Sequence, residues 1–126
     1  MKKIICLSAV LIMLVTLAGY SAAAGVDAAL DGAKKAGKAV MLELGSAGCG
    51  PCEQMKPVME KLKEAYKGRL EVIFVDVRKD RDAARRFSVF AIPTQVFLDR
   101  NGKEFHRHMG FYGYEEILPV LEEAGI

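Results

Sequence analysis

Two of the three cysteines in this 126-residue chain, Cys49 and Cys52, stand three positions apart and flank Gly50 and Pro51. Two cysteines can form a disulfide when their α-carbons lie within about 4.4–6.8 Å of each other, a range that this spacing permits. Such a pair can serve as a structural staple, as half of a metal site, or as a redox centre that opens and closes.

The rest of the sequence favours the redox interpretation of this pair. A structural disulfide gains little from so small a loop, because loop-closure stabilisation grows with loop length. A zinc site needs two further ligands, and after residue 24 only His106 and His108 could join the cysteines. A C-x-x-C pair beside a β-α-β pattern is typical of thiol redox proteins. We therefore predict a redox centre, with a staple or a metal site as the alternatives.

Cys49 is predicted to lie at the start of a helix, after a strand that ends at Leu44. The first amides of a helix lack internal partners and carry a partial positive charge. A thiolate is stabilised there, so the pKa of Cys49 should lie below its free value of about 8.5. Cys52 follows one turn later on the same side, and Pro51 suits an early helical position. We predict that Cys49 attacks and Cys52 resolves.

Glu43 is the single charged residue in the apolar run from Val40 to Leu44. Burial disfavours a charged carboxylate and raises its pKa. A carboxyl poised between its two states near the cysteines could accept the proton of Cys52 and return it. The alternative is a glutamate that points outward at a sheet edge.

The apolar periodicity predicts eight elements in the order α-β-α-β-α-β-β-α. Pro57 should kink the second helix, and Asn101-Gly102 should join the last two strands as a hairpin. Two parallel β-α-β crossings followed by a hairpin imply an α/β fold, with a mixed sheet and helices on both faces. The predicted helices cover 26–36, 49–66, 80–87 and 114–124, and the predicted strands cover 38–44, 70–77, 94–99 and 103–109.

The sequence resembles the thioredoxin family, first of all in the tetrapeptide Cys49-Gly50-Pro51-Cys52. The similarity extends over residues 38–124 and needs no gaps. It includes a helix-kinking proline, a segment that holds a cis-proline, a hairpin turn and a glycine beside the substrate groove. These features correspond to Pro57, Ala91-Ile92-Pro93-Thr94, Asn101-Gly102 and Gly110.

The resemblance implies roles for residues outside the cysteine pair. It implies a cis bond before Pro93 that presents the Ile92 backbone to an extended substrate, with Thr94 and Gly110 also at the substrate-binding groove. A plain strand-initiating proline is the alternative. The family has an aspartate where this chain has Glu43. A Cys49–Cys52 disulfide is the expected oxidised state, and no cofactor or bound metal is implied.

Three departures from the family pattern bear on partner choice and on the sheet. Gly48 stands where the family has a tryptophan before the first cysteine, and Glu53 where a basic residue commonly follows the second. Both changes lie at the rim of the expected groove. The usual first strand is missing, so we expect a thioredoxin-like sheet of about four strands.

Residues 1–24 have the pattern of a secretory signal peptide: Lys2 and Lys3, an apolar stretch, and Ala22-Ala23-Ala24 as a cleavage site. We expect residues 25–126 to form the mature domain; an uncleaved membrane anchor is the alternative. Without those two lysines, 16 basic residues balance 16 acidic ones. That balance argues against nucleic-acid binding, which needs surplus positive charge.

We therefore predict an exported, monomeric thiol–disulfide oxidoreductase, periplasmic or anchored facing the periplasm, that reduces protein disulfides. The Gly-Pro pair resembles reducing members of the family, and an exported reductant needs a membrane thiol-electron carrier as its partner. One alternative is an oxidase or isomerase using the same chemistry. Another is a copper-binding module that uses Cys49 and Cys52 with His106 or His108.

Overall fold

The computed structural model of the chain describes residues 24–126. The signal peptide or membrane anchor predicted for residues 1–24 therefore lies, apart from the backbone of Ala24, outside the described residues. The eight elements occur in the predicted order. The helices are α1 (Ala24–Lys35), α2 (Gly50–Ala65), α3 (Arg81–Arg86) and α4 (Tyr114–Glu123), and the strands are β1 (Ala39–Gly45), β2 (Leu70–Asp76), β3 (Thr94–Leu98) and β4 (Glu104–Met109).

The four strands form one mixed sheet in the order β2-β1-β3-β4. The number of strands and the mixed character agree with the prediction. Strands β1 and β3 occupy the centre, and every residue of both is buried. Strand β1 is parallel to β2 and antiparallel to β3, which in turn is antiparallel to β4.

The prediction of a second parallel crossing was wrong, because β3 runs antiparallel to β1. Helix α3 has six residues and spans about 9 Å, whereas the seven-residue strand β2 spans about 23 Å. Helix α3 alone is therefore too short to carry the chain back along the length of β2. The chain re-enters the sheet at the end where β1 finishes, so that Thr94 at the start of β3 pairs with Leu44 near the end of β1.

Helices cover both faces of the sheet, as predicted, and each face has its own apolar core. One core packs α2 and α4 against the face of β1 that carries Ala39 and Met41. The other packs α1 and α3 against the face that carries Val40, Leu42 and Leu44. Glu43 follows Met41 by two residues, so alternation places it on the α2 face.

The predicted hairpin joins β3 to β4, although its turn uses a positive φ at Gly102 alone and not at Asn101. The Asp99 carboxylate accepts hydrogen bonds from the backbone N–H groups of Asn101 and Lys103. Pro57 lies inside α2, as expected. Among the helices of residues 24–126, none is long and apolar enough to cross a membrane.

Candidate active site

Cys49 and Cys52 form a disulfide at the start of α2, with their α-carbons 5.2 Å apart. The helix begins at Gly50, one residue later than predicted, and Cys49 is its N-cap residue. The Cys49 sulfur accepts a hydrogen bond from the Cys52 N–H at 3.3 Å. Pro51 occupies the first turn. Cys49 is half-buried, whereas Cys52 is only 3% exposed. Cys49 is therefore the more accessible of the two cysteines to an incoming disulfide.

Gly45, the last residue of β1, lies directly against the resolving cysteine. A β-carbon built on Gly45 would lie 3.1 Å from Cys52 Sγ and 3.4 Å from the ring of Phe74. This separation is at the close limit for side-chain contacts, so the backbone itself supplies the surface on which Cys52 rests. Gly45 was not predicted from the sequence as a site residue.

Glu43 is fully buried on the same face of β1, two residues before Gly45. Burial raises the pKa of its carboxyl to about 7, and a hydrogen bond from Gln95 opposes part of that rise. The prediction of a buried carboxyl with a raised pKa is confirmed. The alternative of an outward-facing glutamate at a sheet edge was wrong, because β1 is a central strand.

Gln95 is the polar partner of Glu43 and was not predicted from the sequence as a site residue. The two residues pair across β1 and β3, and Gln95 Nε2 donates to Glu43 Oε2 at 3.0 Å. The same nitrogen donates to the Gly110 carbonyl at 3.1 Å. Gln95 could have been found as Glu43 was, since it interrupts an apolar strand with a long polar side chain.

The segment before β3 lies at the same end of the sheet as the disulfide. The Ile92–Pro93 peptide bond is cis, and Pro93 is buried while Ile92 is half-buried. Thr94 Oγ1 donates to the Ala91 carbonyl at 2.6 Å. The Gly110 N–H donates to the Pro93 carbonyl at 2.8 Å, so the structure brings together the predicted groove residues.

Large apolar side chains are exposed around this end of the molecule. Phe90, three residues before Pro93, is 90% exposed, and Met109 and Phe111 are exposed on either side of Gly110. Phe74, which contacts the Gly45 position, is 48% exposed. Gly48 and Glu53 are also exposed, and Glu53 forms an ion pair with Lys56. The rim therefore keeps aromatic surface although the chain has no tryptophan.

The two histidines do not join the cysteines. His106 Nε2 lies 3.2 Å from the Tyr112 hydroxyl, and the His108 ring stacks on the Tyr112 ring with centroids 3.9 Å apart. Burial and the neighbouring His108 lower the pKa of His106. Both histidines are half-buried on β4. Within residues 24–126, no group of three or more His, Cys, Asp or Glu side chains could hold a metal ion.

A disulfide at the start of a helix, a cis-proline segment beside it and a buried acid beneath it define an α/β thiol redox domain. Residues 26–125 match the family model described as a thioredoxin-like domain. The chain belongs to the thioredoxin-like domain family.

Thioredoxins of plants and bacteria are similar to this chain. Chloroplastic thioredoxin Y of Oryza sativa subsp. japonica is 29% identical over 91 residues, which cover 72% of this chain and 54% of that protein. Thioredoxin of Staphylococcus aureus is 31% identical over 75 residues, which cover 60% of this chain and 71% of that protein. The chain thus spans about half the length of the rice relative.

Solved structures show the same fold. A malarial protein has a TM-score of 0.66 at 25% identity, covering 71% of this chain and 99% of its own. Chloroplastic thioredoxin z has a TM-score of 0.69 at 20% identity, covering 79% of this chain and 87% of its own. With the Cys49–Cys52 disulfide, these likenesses support thiol–disulfide oxidoreductase chemistry.

Proposed function

We propose that this protein reduces disulfides in other proteins outside the cytoplasm by cycling Cys49 and Cys52 between dithiol and disulfide. The observation that supports this proposal most directly is the unequal exposure of the two cysteines: Cys49 is half-buried at the helix start, and Cys52 lies buried against Gly45. This asymmetry separates an attacking thiol from a resolving one. The cap position favours the Cys49 thiolate, because unpaired helix amides stabilise negative charge.

The first step transfers the substrate sulfur to Cys49. The Cys49 thiolate attacks a substrate disulfide, a Cys49–substrate disulfide forms, and the other substrate sulfur leaves as a thiolate that takes a proton from water. The Ile92 backbone and the exposed side chains of Phe90 and Phe111 offer an extended substrate segment a surface beside Pro93.

The second step releases the substrate. Cys52 gives its proton to the Glu43 carboxylate, and its sulfur attacks Cys49 Sγ. The bond between Cys49 and the substrate breaks, and the second substrate thiolate leaves. The substrate has then gained two electrons and the cysteine pair has lost them. Glu43 is placed for this role because it shares a face of β1 with Gly45, against which Cys52 packs.

Repeated turnover needs a source of two electrons outside the cytoplasm. The proposed electron donor is a membrane dithiol carrier. We further propose that the protein is a monomer, either free in the periplasm or anchored facing it. Export is supported by the order of Lys2 and Lys3, an apolar stretch and Ala22-Ala23-Ala24 in the sequence. An oxidase or isomerase would use the same cysteines with a different reduction potential.

The direction of electron flow is tested by the reduction potential of the Cys49–Cys52 pair and by turnover of a protein disulfide. A potential near the thioredoxin value of about −270 mV is expected, with rapid reduction of the test disulfide. A potential near about −120 mV would indicate an oxidase instead. Cys49→Ser should abolish turnover in either case.

The location is tested by fractionating native cells and sequencing the N terminus of the recovered protein. Cleavage predicts a periplasmic form that begins at Gly25. Intact Met1 in the membrane fraction would show an anchor, and recovery from the cytoplasm would contradict export.

A further inference from the structure

The side-chain amide of Gln95 connects the buried acid to the groove. It is fully buried, and its nitrogen donates to Glu43 Oε2 at 3.0 Å and to the Gly110 carbonyl at 3.1 Å. Gly110 in turn donates its N–H to the Pro93 carbonyl at 2.8 Å. One amide thus links Glu43, beneath Cys52, to the backbone that borders Pro93.

The hydrogen-bonding groups of this pair do not balance when Glu43 is a carboxylate. Both donor positions of the Gln95 amide are used, and two buried acceptors, Glu43 Oε1 and Gln95 Oε1, have no partner within the described residues. Buried polar atoms without partners are costly. A proton on Glu43 Oε1 supplies one donor, and the Gln95 amide oxygen is an acceptor that lacks one. The carboxylic acid and the carboxamide can then form two hydrogen bonds in opposite directions.

We propose that Gln95 is a positioning residue that hydrogen-bonds Glu43 in both protonation states, through one bond to the carboxylate and two to the carboxylic acid, and so orients the carboxyl for proton exchange with Cys52. The role of Gln95 in catalysis rests on the proposed function. Gln95 touches neither sulfur, so it acts through Glu43.

The proton balance of the proposed reaction agrees with this assignment. Resolution moves one proton from Cys52 to Glu43 as the Cys49–Cys52 disulfide forms. The structure holds that disulfide, which is the state that follows this proton transfer in the proposed reaction. When an external dithiol reduces the disulfide, Cys52 leaves as a thiolate and takes the proton back from Glu43.

Among the described residues, no charged side chain hydrogen-bonds to Glu43. Burial and Gln95 are the two influences on its pKa. Across the sheet, β2 places Phe74 beside Glu43 and Asp76 beside Gly45, and β4 places His108 beside Gln95. Helix α2 packs on this face of the sheet, and its buried residues include Cys52 and Met55. Gln95 is therefore the group through which the protonation of Glu43 is set locally.

The first test uses the unaltered oxidised protein with ¹³C-labelled glutamate and glutamine side chains. As pH falls through the Glu43 midpoint, near 7, the Gln95 Cδ resonance should move downfield with the same midpoint, because its carbonyl gains a hydrogen bond. Glu43→Gln should remove both titrations. A Gln95 resonance that stays constant while Glu43 titrates would overturn the proposal.

The second test follows resolution of a mixed disulfide between Cys49 and a coloured aromatic thiol as a function of pH. In Gln95→Met the carboxylate loses its amide donor but stays buried, so the acid limb of the rate profile should move to higher pH. Below the original midpoint, the rate should fall about tenfold for each pH unit of that movement. Met41→Leu, a buried change on the same face, should leave the limb in place.

The outcomes separate this proposal from the proposed function. A Gln95→Met variant whose resolution is slowed equally at every pH would show a purely structural role and overturn the inference. The proposed reductase function would be unaffected by that result. A wild-type protein that reduces no disulfide would contradict the proposed function, and the carbon resonances would still decide the role of Gln95. If Gln95→Met does not fold, the titration of the unaltered protein decides alone.

Discussion

The α-carbon of Gly45 lies so close to Cys52 that a methyl group placed on it would be 3.1 Å from the sulfur. The end of a buried central strand therefore contacts the resolving cysteine directly. Because β1 is buried along its whole length, its backbone cannot move aside easily. Any side chain at position 45 must displace Cys52 or the neighbouring Phe74 ring.

Gly45→Ala should destabilise the oxidised protein by about 1–3 kcal/mol, because overpacking a rigid core forces neighbours off their preferred positions. Denaturant unfolding measures this loss. Gly32→Ala is the matched control, since Gly32 lies in α1 with no atom within 4 Å of its would-be β-carbon. That control should gain about 0.5–1 kcal/mol. Equal losses in both variants would contradict the close contact at Gly45.

The element order could be predicted from sequence because helical spacing of apolar residues marks the longer helices and short apolar runs mark the buried strands. The direction of β3 could not, since a buried apolar run looks the same in a parallel and an antiparallel strand. The connection over residues 77–93 is long enough for either direction, so its length does not decide between them.

The same limit applies within the site. Cys49, Cys52 and Glu43 could be found because they are unusual residues in their local setting. Gly45 and Gln95 owe their importance to contacts across the sheet and with α2, which depend on tertiary packing. The stacking of His106 and His108 on Tyr112 likewise depends on the chain that follows β4.

The two cysteines should differ in their capture of partner proteins. Cys52→Ser leaves the accessible Cys49 thiol and removes the resolving thiol, so mixed disulfides should accumulate. Cys49→Ser leaves only a buried thiol, and roughly tenfold fewer adducts are expected. The difference is measured on non-reducing gels of extracts from cells that express each variant. Equal capture by both variants would refute the assignment of attacking and resolving roles.

Phe74 should help to keep water from Glu43. It pairs with Glu43 across β1 and β2, and its ring reaches the Gly45 position. Phe74→Ala should admit water and lower the pKa of Glu43 from about 7 by about one pH unit. A ¹³C titration of the carboxyl measures this change. Phe90→Ala, which trims a side chain that is 90% exposed, should leave the midpoint unchanged. An unchanged midpoint in both variants would mean that Phe74 does not shield the acid.

Glu43→Gln should stabilise the oxidised protein at neutral and higher pH. Burial raises the folded pKa from 4.5 to about 7, so the folded protein binds the proton more tightly than the unfolded chain does. The unfolding free energy of the wild type is therefore highest below about 4.5 and declines as pH rises through about 7. The total decline is about 3 kcal/mol. A carboxamide at position 43 does not ionise, and it can both accept from and donate to Gln95.

The advantage of Glu43→Gln over the wild type should thus grow between pH 4.5 and about 7 and then level off. The variant should also resolve mixed disulfides roughly 10²-fold more slowly, because Cys52 loses its proton acceptor. Denaturant melts at several pH values measure the first effect, and stopped-flow kinetics measure the second. Met41→Leu, on the same face, should show neither effect. A Glu43→Gln variant that is less stable than the wild type at pH 8 and resolves at full speed would exclude the proton-acceptor role.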